Sequence, residues 1–244
     1  KRAGVFYEIY VRSFADSDGD GIGDLNGVTA KLDYLDDLGV AGIWLLPIYT
    51  CDSEHGYDVI DYTAVNPDYG TLADLENLVA EAHKRKIRVI LDFVPNHTSH
   101  HSPWFVEACK SAGSPYRDFY HFSQTAKPGW YAVPSGTTDW FYQGVFDRSM
   151  PDLNYGPASS CEQSGAFVAL TDAAKFWIDK GVDGFRLDAV KHIYDSDISA
   201  ENPTWLNKFY TGLNAHFQGK SALGFDDIYM VGECWMATEQ MAEY

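Results

Sequence analysis

Short apolar runs alternate with amphipathic stretches along most of this chain, and that alternation constrains the fold more than any other feature. Gly4 to Val11 (GVFYEIYV) is rich in aromatic and β-branched residues and reads as a strand. Leu25, Val28, Leu32, Leu35 and Leu38 then recur at helical spacing, and Gly39 supplies a helix stop. The pattern repeats as strand Gly42 to Leu46, helix Thr71 to Lys86, strand Val89 to Val94, helix Ala166 to Lys180, strand Gly184 to Leu187, helix Pro203 to Phe217 and strand Ile228 to Val231. Nearly continuous apolar strands separated by helices predict a parallel sheet built from right-handed βαβ units. Between Asn96 and Ser164 the alternation gives way to an aromatic, Gly/Pro-rich segment without a long helical period, too long for an ordinary loop and read as an inserted subdomain.

Charge narrows the partners. The 244 residues hold 18 Lys+Arg against 35 Asp+Glu, a formal charge of −17, which repels nucleic acid and anionic membrane and suits neutral substrates and cations. No apolar run approaches the roughly 18 residues of a membrane span. Cys51, Cys109, Cys161 and Cys234 form no CxxC pair and are too sparse for a disulfide scaffold.

Doubly wound sheets and β/α barrels share this alternation, and the placement of polar residues separates them. The later strands run out on their C-terminal sides into Asp92-Phe-Val-Pro-Asn96-His97, Arg186-Leu-Asp188-Ala-Val-Lys191-His192 and Glu233-Cys-Trp235. In a β/α barrel those ends share one rim, where active sites of this fold lie. Residues two apart on a strand face the same side, so Arg186 and Asp188 project together, and the guanidinium is expected to keep Asp188 ionised as a nucleophile must be. Glu233, beside Cys234 and Trp235, is expected to hold a proton in an apolar setting. An ionised Asp facing a protonated Glu is the two-carboxylate arrangement of a glycosidase; the alternative is a set of structural ion pairs at strand ends.

A second acidic pattern follows the first strand. Asp16, Asp18, Asp20 and Asp24 alternate with Gly and Ser, and Ile22 offers a backbone carbonyl, as in the first nine positions of an EF-hand loop. The copy is incomplete, because position twelve is Gly27 and a strand precedes it. Carboxylates packed this closely repel without a cation, so Ca2+ is the expected occupant and a solvated acidic turn the alternative.

The segments DFVPNH (Asp92 to His97), GFRLDAVKH (Gly184 to His192) and GECW (Gly232 to Trp235), with GIWLLPI from Gly42, HGYDVIDY from His55 and MPDLN from Met150, resemble signature motifs of the α-amylase family of glycoside hydrolases (family 13), in order. MPDLN resembles the group intermediate between oligo-1,6-glucosidases and neopullulanases. The resemblance implies an α/β protein with a (β/α)8 TIM barrel and a retaining mechanism on α-glucans, with Asp188 as nucleophile and Glu233 as general acid/base. It further implies that Arg186 holds the nucleophile, His97 hydrogen-bonds the sugar, Tyr57 stacks under it, Asp58 braces the site, and Lys191 and His192 lie on the leaving-group side. A structural Ca2+ loop after the first strand also fits the family. Ala189 after the nucleophile, where 1,6-preferring members tend to carry Val, and the Lys191-His192 pair favour endo-cleavage of α-1,4 bonds in starch and maltooligosaccharides. An α-glucosidase, an oligo-1,6-glucosidase, a transglycosylase or a non-catalytic binding or assembly relative remain as alternatives. The insert's Trp130, Tyr131, Trp140, Phe141 and Tyr142 are candidates for extended subsites or for the insert's own core.

These readings divide the chain into residues 1–96 (three barrel strands), 97–165 (inserted subdomain) and 166–244 (two further strands). A complete barrel needs eight strands, so the expectation is the N-terminal part of a larger amylase, inactive without the rest of its own polypeptide and a third carboxylate. A polymeric substrate and an acidic, calcium-binding chain fit a secreted or periplasmic protein.

Overall fold

The structure is a computed structural model that describes residues 4–134, 140–194, 200–242 and 244. Five parallel strands form one sheet in sequence order: β1 (Phe6–Ile9), β2 (Gly42–Leu45), β3 (Arg88–Phe93), β4 (Gly184–Leu187) and β5 (Tyr229–Gly232). Sequential order without reversal is the order of a barrel and not of a doubly wound sheet. The helices Leu72–Lys84, Gly165–Asp179 and Glu201–Phe217 provide the crossovers.

The period-two alternation of the strands gives the sheet two different faces. Val89, Leu91 and Phe93 of β3, with Phe185 and Leu187 of β4, are buried on the outer face, under helix residues such as Trp205 and Phe209. The inner face carries Trp44, Ile90, Asp92 and Arg186, and the register sets Asp92 directly opposite Arg186. At the N-terminal end of the inner face Phe6 of β1 stacks on Tyr229 of β5 at 4.5 Å, and the Arg88 guanidinium of β3 lies over both rings at 4.8 and 5.0 Å. Side chains from odd strands meeting in one layer are the packing unit of a barrel interior, and three of that layer's four places are filled here. The five strands are therefore already curled, not flat.

Several elements depart from the expected boundaries. β1 ends at Ile9, and Val11–Phe14 makes a helical turn that points the chain into the acidic loop. The helix expected over Leu25 to Leu38 breaks at Lys31 into Leu25–Ala30 and Leu32–Asp37. Thr29 Oγ1 donates back to the Leu25 carbonyl at 2.9 Å, a bond that bends helices. An antiparallel hairpin, Tyr49–Cys51 with Val59–Val65, lies between β2 and the next helix and was not evident in the apolar periodicity. The segment without a long helical period contains a short helix at Pro103–Lys110, followed by a small antiparallel sheet of Phe122–Ser123, Phe141–Gln143 and Trp130–Ala132. Tyr142 is buried against Phe105, and Arg117 lies over Phe122 and Trp140 at 3.6 and 4.4 Å, so Tyr142 and Trp140 pack within the insert.

The loop leaving β3 carries carbonyls that no neighbouring strand can pair, and buried tyrosines satisfy them. Tyr49 donates to the Asp92 carbonyl (2.7 Å), Tyr62 to those of Val94 (2.8 Å) and His97 (2.7 Å), and Tyr155 to that of Pro95. Among the described residues no helix is long and apolar enough to cross a membrane.

Gly184 has a specific steric reason. A Cβ there would lie 1.9 Å from the Tyr229 carbonyl oxygen, so any side chain forces β4 and β5 apart. Gly184→Ala is expected to destabilise the protein by about 1–3 kcal/mol, as overpacking does, lowering the thermal midpoint by several degrees in a calorimetric scan.

Candidate active site

Each candidate side chain arrives by strand geometry. Arg186 is the third residue of β4 and Asp188 follows two positions later on the same face, its N–H extending the ladder to the Phe93 carbonyl (2.8 Å). Glu233 follows β5, with its N–H on the Leu187 carbonyl (2.8 Å). Ala189 then turns the chain left-handed (φ 49°, ψ 41°), which aims its N–H at Glu233 Oε2 at 3.3 Å. A non-glycine residue in that region is uncommon and strained, and here it sits between the two carboxylates.

One guanidinium serves three carboxylates. Arg186 Nη1 donates to Asp92 Oδ1 (2.9 Å) and Oδ2 (3.0 Å) and to Asp188 Oδ1 (2.9 Å), while Nη2 meets Glu233 Oε2 at 2.9 Å. Asp92 is fully buried and also accepts from Trp44 Nε1 and Tyr57 Oη, both at 3.1 Å. Asp188 and Glu233 are thereby held at the two ends of one guanidinium.

Burial and the neighbouring charges act differently on the two carboxyls. Burial, reinforced by the Asp92 charge, outweighs Arg186 and pushes the Asp188 carboxyl up to about 7. Glu233 is also raised by burial, but the Trp235 indole N–H, 2.6 Å from Oε1, together with Arg186, more than compensates and holds it below the usual glutamate range. Arg186 is divided among three anions and cannot neutralise each of them, and Trp235 turns its N–H rather than its apolar face toward Glu233. Asp92, likewise raised by burial, reaches about 6.

His97 also departs from expectation. Asn96 Nδ2 donates to Asp152 Oδ1 (3.1 Å), which fixes the amide orientation, so the same nitrogen donates to His97 Nδ1 (3.2 Å). The ring proton then sits on Nε2 and goes to the Tyr57 carbonyl at 3.2 Å. Burial drives His97 down to about 4, so it is neutral, and with both nitrogens engaged it has no free donor for a sugar. Tyr57 lies half-buried at the rim; Asp58 accepts from the Ser53 N–H and hydroxyl and closes the loop that presents Tyr57. Lys191 and His192 lie in the turn after Ala189, the His192 ring edge-on to Phe146 at 5.1 Å. Phe146 also packs on His97 at 5.3 Å and is 47% exposed, an aromatic face at the site that its surroundings in the sequence did not single out. Asp92 was placed at a strand end by the sequence but given no role; its place opposite Arg186 emerges only from strand register. An open cavity of about 560 Å³ on the inner face is lined by Trp44, Arg186, Tyr229, Glu233 and Trp235.

In the acidic loop, Asp16, Asp18 and Asp24 each bring a carboxylate oxygen within 4.8 Å of the others. Asp16 accepts from the N–H groups of Asp18, Gly19 and Gly21, and Asp24 from Ser17 and Gly27, so the turn is built around ionised carboxylates. This hard-oxygen set fits Ca2+. Asp20 is not part of that convergence: its carboxylate accepts the Ile22 N–H at 2.7 Å, and the Ile22 side chain packs on the core.

Sequential parallel strands with a rim on which Arg186 joins Asp188 to Glu233 match a (β/α)8 barrel, of which five strands are described, carrying a pair of carboxylates like those of glycoside hydrolases. The family model described as alpha amylase, catalytic domain, matches residues 8–244, and the chain belongs to the α-amylase family. Alpha-amylase 3 of Dictyoglomus thermophilum is 47% identical, covering 98% of this chain and 45% of that protein. Glucan 1,6-alpha-glucosidase of Streptococcus pneumoniae is 38% identical over 98% of this chain and 44% of its own length. The crystal structure of an alpha-amylase from H. orenii superposes with a TM-score of 0.84 at 42% identity, covering 99% of this chain and 49% of that one. The chain thus spans about half the length of these relatives.

Replacing Arg186 leaves Asp92 buried without a cation. Arg186→Ala is expected to destabilise by about 3–5 kcal/mol at pH 7. The loss is smaller at pH 5, where Asp92 takes up a proton, and denaturant titrations at the two pH values measure the difference.

Proposed function

We propose that the protein cleaves internal α-1,4-glucosidic bonds of starch and maltooligosaccharides with retention of anomeric configuration. The observation that carries this reading is that Asp188 and Glu233 are held by the two end nitrogens of one guanidinium, each at 2.9 Å, which favours the close pair of retaining enzymes, about 5–5.5 Å apart, over the about 6.5–9.5 Å of inverting ones. Glu233 protonates the glycosidic oxygen, Asp188 attacks the anomeric carbon, and water releases the glycosyl-enzyme with Glu233 as base. The excess negative charge around Arg186 favours the cationic transition state. Tyr57 and the exposed Phe146 offer faces for sugar rings.

In this reading the pair shares one proton in the free site. A sugar covering Glu233 removes water from it and raises its affinity for that proton, which then resides on Glu233 and leaves Asp188 ionised. Loss of the shared proton should then set an alkaline limb in kcat/KM near pH 7, the value to which Asp188 is pushed. A stopped assay of the enzyme with its barrel complete, on maltoheptaose across pH 5–9, reads it; a flat profile through pH 8 refutes the shared-proton account.

Ala189, Lys191 and His192 support the α-1,4 preference, as does the name of the 47%-identical relative. The 1,6-glucosidase among the relatives supports an exo-acting or 1,6-preferring alternative. Products from maltoheptaose and pullulan separate them: a ladder of shorter maltooligosaccharides supports endo-action, glucose alone the alternative. The sheet's two open edges and the half-length coverage support a need for further barrel strands, so the 244 residues alone are expected to release little sugar.

Asp188→Asn is expected to abolish activity while altering stability with a defined sign. A carboxyl raised above its unfolded value binds more protons in the native state, so its contribution falls as pH rises from about 4 to 7. Relative to wild type, the variant should therefore melt higher at pH 8 than at pH 4 in paired thermal scans.

Asp16, Asp18 and Asp24 would hold Ca2+, which would neutralise the loop and brace the start of helix Leu25–Ala30. Saturating Ca2+ at about 100 times its Kd should stabilise by about 2.7 kcal/mol. Asp16→Ala with Asp18→Ala should abolish the rise in thermal midpoint, and no rise in wild type counts against the site.

A further inference from the structure

A second group of potential ligand atoms lies away from both the acidic loop and the carboxylate pair. Asp52, His100 and His101 each offer one atom, all within 4.8 Å of one another. Asp52 follows the first hairpin strand, in the loop that continues to Tyr57 and Asp58. His100 and His101 lie between the loop leaving β3 and helix Pro103–Lys110, which opens the insert.

The three are held, not merely near. His101 Nδ1 is 2.8 Å from Asp52 Oδ1, and the other carboxylate oxygen accepts the Ser99 hydroxyl. Ser99 is fully buried, and its Oγ also takes the His101 backbone N–H at 2.9 Å, so one hydroxyl orients both the carboxylate and the histidine that face each other. Such outer partners characterise metal centres. The backbone is pinned on either side, Ser99 N–H to the Val59 carbonyl and His100 N–H to the Ser149 carbonyl, both 2.8 Å. The two imidazoles meet edge to face with centroids 4.1 Å apart, an arrangement that two charged rings would oppose.

We propose that Asp52, His100 and His101 form a binding site for a borderline divalent transition cation of the Zn2+ class, with its fourth position open to water. Two imidazoles and one carboxylate suit Zn2+ and not Ca2+, which takes six to eight oxygens. Ligands at about 2.0–2.2 Å in a tetrahedron lie about 3.3 Å apart, so Asp52 and His101 separate by roughly half an ångström as the metal replaces their hydrogen bond. A cavity of about 400 Å³, walled by Phe105, Val106 and Cys109, opens beside the two histidines and leaves room for the fourth ligand. The bound ion would tie the hairpin loop that presents Tyr57 to the start of the insert.

Isothermal titration of metal-stripped, tag-free protein with ZnCl2, in buffer containing excess Ca2+, tests the site. One equivalent should bind, and Co2+ in its place should give the intense visible bands of tetrahedral coordination. His100→Ala and His101→Ala, with folding checked by circular dichroism, should each weaken Zn2+ binding by about tenfold or more, since even outer partners of a metal carry that much. Asp16→Ala with Asp18→Ala should leave Zn2+ affinity unchanged. Absence of binding by wild type, octahedral Co2+ spectra, a smaller loss in either histidine variant, or a Zn2+ loss in the acidic-loop variant overturns the proposal.

Discussion

The guanidinium of Arg186 is the constraint around which the site is arranged. It is the only cation in direct contact, among the described residues, with Asp92, Asp188 and Glu233, and it lies where water is nearly excluded. One positive charge cannot satisfy three negative ones in such a place, so the balance is met by protons: Asp92 and Asp188 hold theirs well above the usual range. A site left short of positive charge is stabilised by whatever cation forms in it, and the anomeric centre of a cleaving glycoside becomes one. The arrangement that costs the free protein stability is thus the one that would favour the reaction.

Much of the architecture was legible because it rests on periodicity. Continuous apolar strands and Gly-stopped helices imply a parallel sheet, and residues at strand ends imply a rim, so Arg186, Asp188 and Glu233 meet as their positions require. The balance of forces on each carboxyl was not legible, because it depends on how many groups share one partner and which way an indole turns, and neither is a property of spacing. Asp92 stood at a strand end without a role because its partner is set by register across 94 residues of chain. His97 illustrates a different limit: its residue type suits a sugar contact, yet Asn96 and the Tyr57 carbonyl occupy both ring nitrogens. The hairpin at Tyr49–Val65 was hidden because its mixed, bulged strands lack a clean alternation.

The tyrosines that cap the loop after β3 explain why the rim is steady although it is irregular. Backbone that leaves a sheet in the interior must find donors elsewhere, and Tyr49 and Tyr62 of the hairpin and Tyr155 of the insert deliver hydroxyls. The hairpin and the end of the insert therefore hold the loop after β3 in place, and the bridge of His97 with Asp152 joins the two further.

The layer formed by Phe6, Arg88 and Tyr229 has a consequence for assembly. Because the first and fifth strands touch through their side chains, the bend of the sheet is stored within the five strands themselves. Any strands that complete such a cylinder meet a trough whose radius is already chosen, and the fourth place in that layer becomes a socket awaiting a single side chain. Closure then resembles fitting a lid to a formed vessel, where the slow, long-range search has been reduced to docking.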